Sequence, residues 1–185
     1  MKSHKLESPQ AMRALAHPLR LRILGELRRQ GAATITQLAA ALDSSTASVS
    51  YHTQQLARHD FVEPAPDKAR NRKERWWRAT ADQTTWSLES FGDQEQHAAN
   101  AALVREMLQL HVASLEEYQR SAAEWGADWA AVSGPRDYAM RLSPQDMDQM
   151  LTEIEQVIGR WQSKPAADPQ TAARASLIMY SFPRH

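Results

Sequence analysis

The chain has 185 residues, 22 Lys or Arg against 22 Asp or Glu, and no cysteine. That length allows one or two domains with an ordinary core, and the lack of cysteine excludes a disulfide scaffold, thiolate metal sites and cysteine nucleophiles. No run reaches the roughly 18 apolar residues of a membrane helix, and MKSHKLESPQ lacks the apolar stretch of a secretory signal, so no membrane partner and a cytoplasmic location are expected. The charge is unevenly distributed: residues 9–80 hold twelve Lys or Arg and six acids, residues 81–185 eight and fifteen. A basic first segment is the footprint of a polyanion binder, and an acidic remainder keeps the rest of the molecule off that polyanion.

In chain order, residues 11–15 are a brief helix candidate. Pro18 then stands at a first helical position after His17, and Leu19, Ile23, Leu24 and Leu27 recur on one helix face until Gly31 closes it. Thr34 with Gln37 reads as a capping box, Thr36 being the alternative cap, and Leu38 and Leu42 supply the next apolar face. Asp43, Ser44 and Ser45 form a polar turn. A fourth helix is predicted over residues 46–59, with Val49, Thr53 and Leu56 pointing inward.

Phe61-Val62-Glu63 is short and β-prone, as are residues 76–80, and between them lies the basic stretch PAPDKARNRKER. Together they predict a hairpin with a long charged tip. Arg75, Trp77 and Ala79 share one face of the second strand and Trp76, Arg78 and Thr80 the other, so one tryptophan packs inward; residue order does not say which.

Residues 93–125 carry a long helical pattern with one stripe of Val104, Leu108, His111, Leu115, Tyr118, Ala122 and Trp125 and an adjoining one of Leu103, Met107 and Leu110. Such a helix spans roughly 50 Å, more than a small domain needs, which points to a second subunit on part of its face. After Gly134-Pro135, residues 138–142 read as a short strand. Ser143-Pro144 opens a further helix that Pro165 ends, and residues 176–182 read as a β-prone partner for 138–142.

Three short helices followed by a basic hairpin is the layout of a winged helix-turn-helix. LAHPLRLRIL, ITQLAAAL, SSTASVSYHTQQL, the Phe61-Val62 strand and KERWWRAT, in that order, resemble the ArsR-type winged-helix transcription regulators over about residues 11–80. The half beyond Asp93 resembles more loosely the longer members, which add a helical dimerisation or sensing region. The resemblance implies that Thr46, Ala47, Ser50 and Tyr51 read bases while Ser45 caps their helix. Independently, the outward positions Thr46, Ala47, Ser48, Ser50, Tyr51, Gln54 and Gln55 are small, polar or aromatic, which suits a helix entering a groove about 12 Å wide. Arg70, Arg72, Lys73 and Arg75, with Lys68 and Arg78 as additions, are spaced to meet phosphate oxygens and position the protein.

The histidines show no paired metal-ligand spacing, and only six glycines are present, without a phosphate loop or a nucleophile elbow; no metal, no cofactor and no enzyme activity are expected. Trp86, Trp125, Trp129 and Trp161 with Met107, Met147 and Met150 suit a dimer core first and a pocket for a small organic effector second. The expected protein is thus α+β and mainly helical. A winged helix-turn-helix over 9–82 precedes a helix-rich dimerisation and effector-sensing domain over 90–185 with a terminal β-ribbon. It is expected to act as a homodimeric repressor on double-stranded promoter DNA, with a winged-helix protein-interaction module as the competing reading.

Overall fold

The punctuation of the sequence sets where its helices start and stop. The computed structural model describes residues 2–6, 8–69, 74–86 and 94–184. Strand β1 (Ser3–Lys5) precedes α1 (Pro9–Leu15) and α2 (Pro18–Gln30), and β2 (Ala33–Thr34) runs straight into α3 (Ile35–Ala41) and then α4 (Thr46–Ala57). Strands β3 (Val62–Pro64), β4 (Trp76–Ala79) and β5 (Gln83–Thr85) follow. Helices α5 (Gln94–Ser121), α6 (Gly126–Val132) and α7 (Pro144–Ser163) complete the order. The fold is α+β and mainly helical, with an amino-terminal winged helix-turn-helix and a helix-rich carboxyl-terminal region.

The caps explain the boundaries. Pro18 begins α2 where a missing amide costs nothing, and Gly31 ends it at φ 83, a conformation that side chains with a Cβ avoid. Thr34 and Gln37 form a reciprocal capping box, which settles the choice against Thr36. Asp43 takes a positive φ of 47 in the turn after α3, one of the few residue types that tolerate it. Helix α4 ends at Ala57, short of the expected His59, because Arg58 caps it and Asp60 turns left-handed at φ 59.

The chain divides into two compact units, residues 1–117 and 118–185. In the first, Leu21, Ile23, Leu24 and Leu27 of α2 meet Leu38 and Leu42, Val49 and Leu56 of α4, and Phe61 and Val62. Each such side chain contributes about 1.5–3 kcal/mol when fully buried. Strand β4 is the centre of a three-stranded antiparallel sheet, with Val62 opposite Ala79 on one side and Ala33 opposite Trp77 on the other. Trp77 and Ala79 pack on the core, so Trp77 is the inward tryptophan; Trp76 instead donates its Nε1–H to Glu74 at 3.1 Å.

Further features of this unit were not expected. Strand β1 pairs in parallel with β5, His4 opposite Thr84, and brings Leu6 into the core. Arg28 holds β5 from behind, donating from Nε to the Ala81 carbonyl at 3.0 Å and from Nη2 to Thr84 Oγ1 at 2.7 Å. Burial pulls its guanidinium down to about 10, still charged at neutral pH. The start of α5 also belongs to this core: Ala99 and Leu103 are buried, Met107 and Leu110 pack beside them, and Trp86 donates to Asn100 Oδ1 at 2.8 Å. The inward stripe of α5 is therefore the Leu103, Met107, Leu110 one, while Leu108, Val112 and Leu115 are exposed.

In the second unit α5 gives way to a short 3₁₀ turn (Ala122–Trp125) and α6, where Trp125 and Trp129 meet edge to face at 6.3 Å. Trp129 Nε1–H donates to the Thr171 carbonyl at 3.2 Å. Ser143 and Asp146 form the capping box of α7. Among the described residues of this unit none is buried. The expected β-ribbon is not formed: residues 138–142 and 176–182 carry no strand, and Tyr138 and Leu177 remain 72% and 71% exposed. β-Propensity measures how well a residue packs on a sheet, and among the described residues of this unit there is no strand for either run to pair with.

Candidate nucleic-acid interface

The helix-turn-helix is built by α3, the Asp43-Ser44-Ser45 turn and α4. Arg22 of α2 donates from Nη2 to the Leu42 carbonyl at 2.8 Å, satisfying an acceptor that the end of α3 leaves open. Ser45 Oγ accepts the Ser48 amide at 3.1 Å and starts α4. Because Val49, Thr53 and Leu56 take the inner face and are fully buried, the opposite face is fixed outward.

On that face Thr46 and Ala47 are exposed, Ser48 and Ser50 half-buried, Tyr51 58% exposed and Gln54 exposed. Gln54 Nε2 donates to Ser50 Oγ at 3.4 Å, one turn away. Helix α4 holds no Asp, Glu, Lys or Arg along its length. Its outer face thus offers hydroxyl, amide and phenol groups as hydrogen-bond partners, with no carboxylate to repel phosphate.

Beside α4 stands the β3–β4 hairpin, its first connection a 3₁₀ turn over Pro66–Lys68. Arg75 and Lys68 are exposed there, while Arg70, Arg72 and Lys73 lie outside the described residues. Arg78 is engaged otherwise. Its Nε donates to Glu63 Oε1 at 2.8 Å and its Nη1 to Asp67 Oδ1 at 3.0 Å, and these acids hold its charge more firmly in place. Flanked by two carboxylates, Arg78 offers little net charge to a phosphate.

Behind α4 lies a cluster that the sequence only hinted at. His17 caps α2, its Nδ1 accepting the Leu19 amide at 3.1 Å, and its ring lies 4.2 Å from that of His52 on α4. Tyr51 meets the His52 ring edge-on at 5.1 Å. The signal for His17 was its place just before Pro18; nothing local in the sequence pairs it with His52. On the long helix α5, His97 is exposed and His111 half-buried, its imidazole held below the usual range by burial. Among the described residues no three His, Asp or Glu side chains gather as a metal site would.

An exposed helix led by a serine cap, set after a tight turn and beside a hairpin, defines a helix-turn-helix. Residues 15–65 match the family described as Helix-turn-helix domain, a span from the end of α1 through β3. No curated protein matches the sequence as a relative. Among solved structures the chain is similar to ZitR of Lactococcus lactis, a mutant in apo form, with 14% identity over 80% of this chain and 84% of that one and a TM-score of 0.35. It is also similar to transcriptional regulator Tm0710 from Thermotoga maritima, 13% identical over 80% of each chain with a TM-score of 0.33. The adhesin competence repressor AdcR from Streptococcus pyogenes is 16% identical over 82% of this chain and 81% of its own, with a TM-score of 0.31.

Proposed function

We propose that this chain is a DNA-binding transcriptional regulator of ArsR type, acting as a homodimeric repressor that occupies promoter duplex. The carrying observation is the outer face of α4, exposed, uncharged and capped by Ser45, on a domain whose match is a helix-turn-helix. In this reading Thr46, Ala47, Ser50, Tyr51 and Gln54 address base edges in the major groove, and Ser45 and Ser48 shape the helix start. Arg70, Arg72, Lys73 and Arg75 meet phosphates and set the register without specifying sequence. The functional division is a DNA-binding domain over 9–82 and a dimerisation domain over 90–185.

Support for the dimer comes from the apolar side chains left uncovered: Leu108, Val112 and Leu115 along α5, and Val157 and Trp161 on α7, all more than 40% exposed. Two copies would present their recognition helices to half-sites about one helical turn apart, roughly 34–36 Å. A small organic effector, expected from the tryptophan and methionine side chains of the acidic half, would be detected by titration followed through both tryptophan emission and DNA affinity.

The deciding experiment is selection of duplex from a random pool, followed by affinity measured against salt. If a dimer neutralises 6–10 phosphates, affinity falls roughly 10³- to 10⁵-fold between 50 and 200 mM salt. A pool that never enriches, or binding indifferent to salt, overturns the reading in favour of a protein-interaction module.

A further inference from the structure

The contact between His17 and His52 suits two neutral rings. His17 caps α2 by accepting the Leu19 amide at Nδ1, which it does only while that nitrogen carries no proton. His52 reaches the same spot from α4, with ring centroids 4.2 Å apart and planes tilted by 35°. Its Nδ1 is buried and meets no hydrogen-bond partner. An unprotonated nitrogen there wastes one acceptor, whereas an imidazolium would bury an unmatched charged donor, which costs more.

The neighbouring charges lean the same way. Arg20 of α2 faces both rings, and its Nη2 is held by the Arg13 carbonyl of α1 at 3.0 Å. The Arg13 guanidinium is itself paired with Glu95 at 2.7 Å. A proton on either ring would face Arg20, and on His17 it would also sit at the positive end of the α2 dipole. Glu106 of α5 is the acid that opposes them at His17, and Tyr51 covers the edge of His52. Burial first, and then Arg20, hold the His17 imidazole below the ordinary range; for His52 the causes are burial, then His17 and Arg20.

We infer that His17 and His52 form an acid-released latch: the neutral rings hold the recognition helix α4, and Tyr51 on it, against the start of α2, and protonation undoes the cap and the ring contact together. The inference rests on the DNA-binding reading and adds a regulation of that same surface. Its sign is distinctive. Acid ordinarily tightens binding to DNA, since each new imidazolium adds positive charge near phosphates. The latch demands the reverse.

The test uses the full chain with a selected duplex at fixed ionic strength, each protein compared with itself at pH 7.5 and pH 5.5. Wild type binds several-fold more weakly at pH 5.5 than at pH 7.5, because the released state takes up protons that the latched state refuses. H17N retains a cap that does not titrate, and H17N/H52Q gives a pH ratio near one or tightens in acid. Equal ratios for wild type and double variant, or wild type tightening in acid, overturn the latch while leaving the DNA-binding reading intact. In parallel, NMR without DNA follows the imidazoles and the Leu19 amide, which is expected to move with the His17 titration. If wild type binds no duplex at pH 7.5 the DNA-binding reading fails, and a Leu19 amide indifferent to His17 protonation then overturns the latch on its own. Should the double variant fail to fold, H17N alone carries the comparison.

Discussion

Arg22 of α2 and Leu42 at the end of α3 are joined by a hydrogen bond of 2.8 Å from guanidinium to carbonyl, immediately ahead of the turn that launches the recognition helix. R22A leaves that carbonyl without its donor and loosens the angle between α3 and α4. The expected cost is about 1 kcal/mol in urea unfolding, with a larger fall in duplex affinity than in stability. A variant that loses stability but binds with unchanged affinity would show that the turn does not set the helix position.

Thr53 and Leu56 sit side by side on the buried face of α4 and should respond in opposite directions. Thr53 is fully buried with its Oγ1 unpartnered, so T53V removes an unsatisfied hydroxyl at nearly constant shape and is expected to stabilise by about 1 kcal/mol. L56A opens a cavity against α2 and is expected to destabilise by about 2–5 kcal/mol. Denaturant midpoints decide both, and a destabilised T53V would mean that the hydroxyl has a partner.

Arg75 and Arg78 lie three residues apart on the wing but are expected to differ in what they do for binding. R75A should lower the slope of log affinity against log salt by about 1 per site, the share that a single phosphate interaction contributes. R78A should leave that slope alone, because Glu63 and Asp67 already neutralise its charge, and should show up as a small loss of wing order. The full set R70A/R72A/K73A/R75A should flatten the slope without unfolding the domain. Equal slopes for R75A and R78A would contradict the assignment.

Stability is expected to fall as pH drops below about 6.5, the ordinary value for histidine. Burial is the first cause holding each of His4, His17, His52 and His111 below that value in the folded chain. The unfolded chain therefore binds more protons in this range, so the stabilisation is complete above the unfolded value and is lost as pH descends through the folded ones. Urea midpoints at pH 7.5, 6.5 and 5.5 measure it. A flat profile would place these imidazoles in water.

What the sequence revealed and what it concealed follow from the range of the interactions. Ser45, Thr34 with Gln37, His17 with Pro18, and Gly31 act on their own neighbours, so helices α2 to α4 could be read residue by residue. Thr53 and Val49 announced the buried face through spacing alone, and with it the outward set from Thr46 to Gln54. Strand β2 is only two residues long, and its pairing with β4 crosses more than forty positions, so Ala33 gave no local sign of it. The His4–Thr84 pairing and the His17–His52 contact are equally non-local. Residues 138–142 and 176–182 erred the other way: their residues are β-prone, but β-propensity carries no information about a partner strand.

The seam between β1 and β5 makes the very start of the chain a structural part. The Lys2 backbone amide donates to Asp82 Oδ2 at 2.6 Å, Ser3 shares a hydroxyl contact with Thr85 at 2.9 Å, and Leu6 is a core residue. Any change that pulls residues 2–6 away would tug on the strand that lies just past the wing.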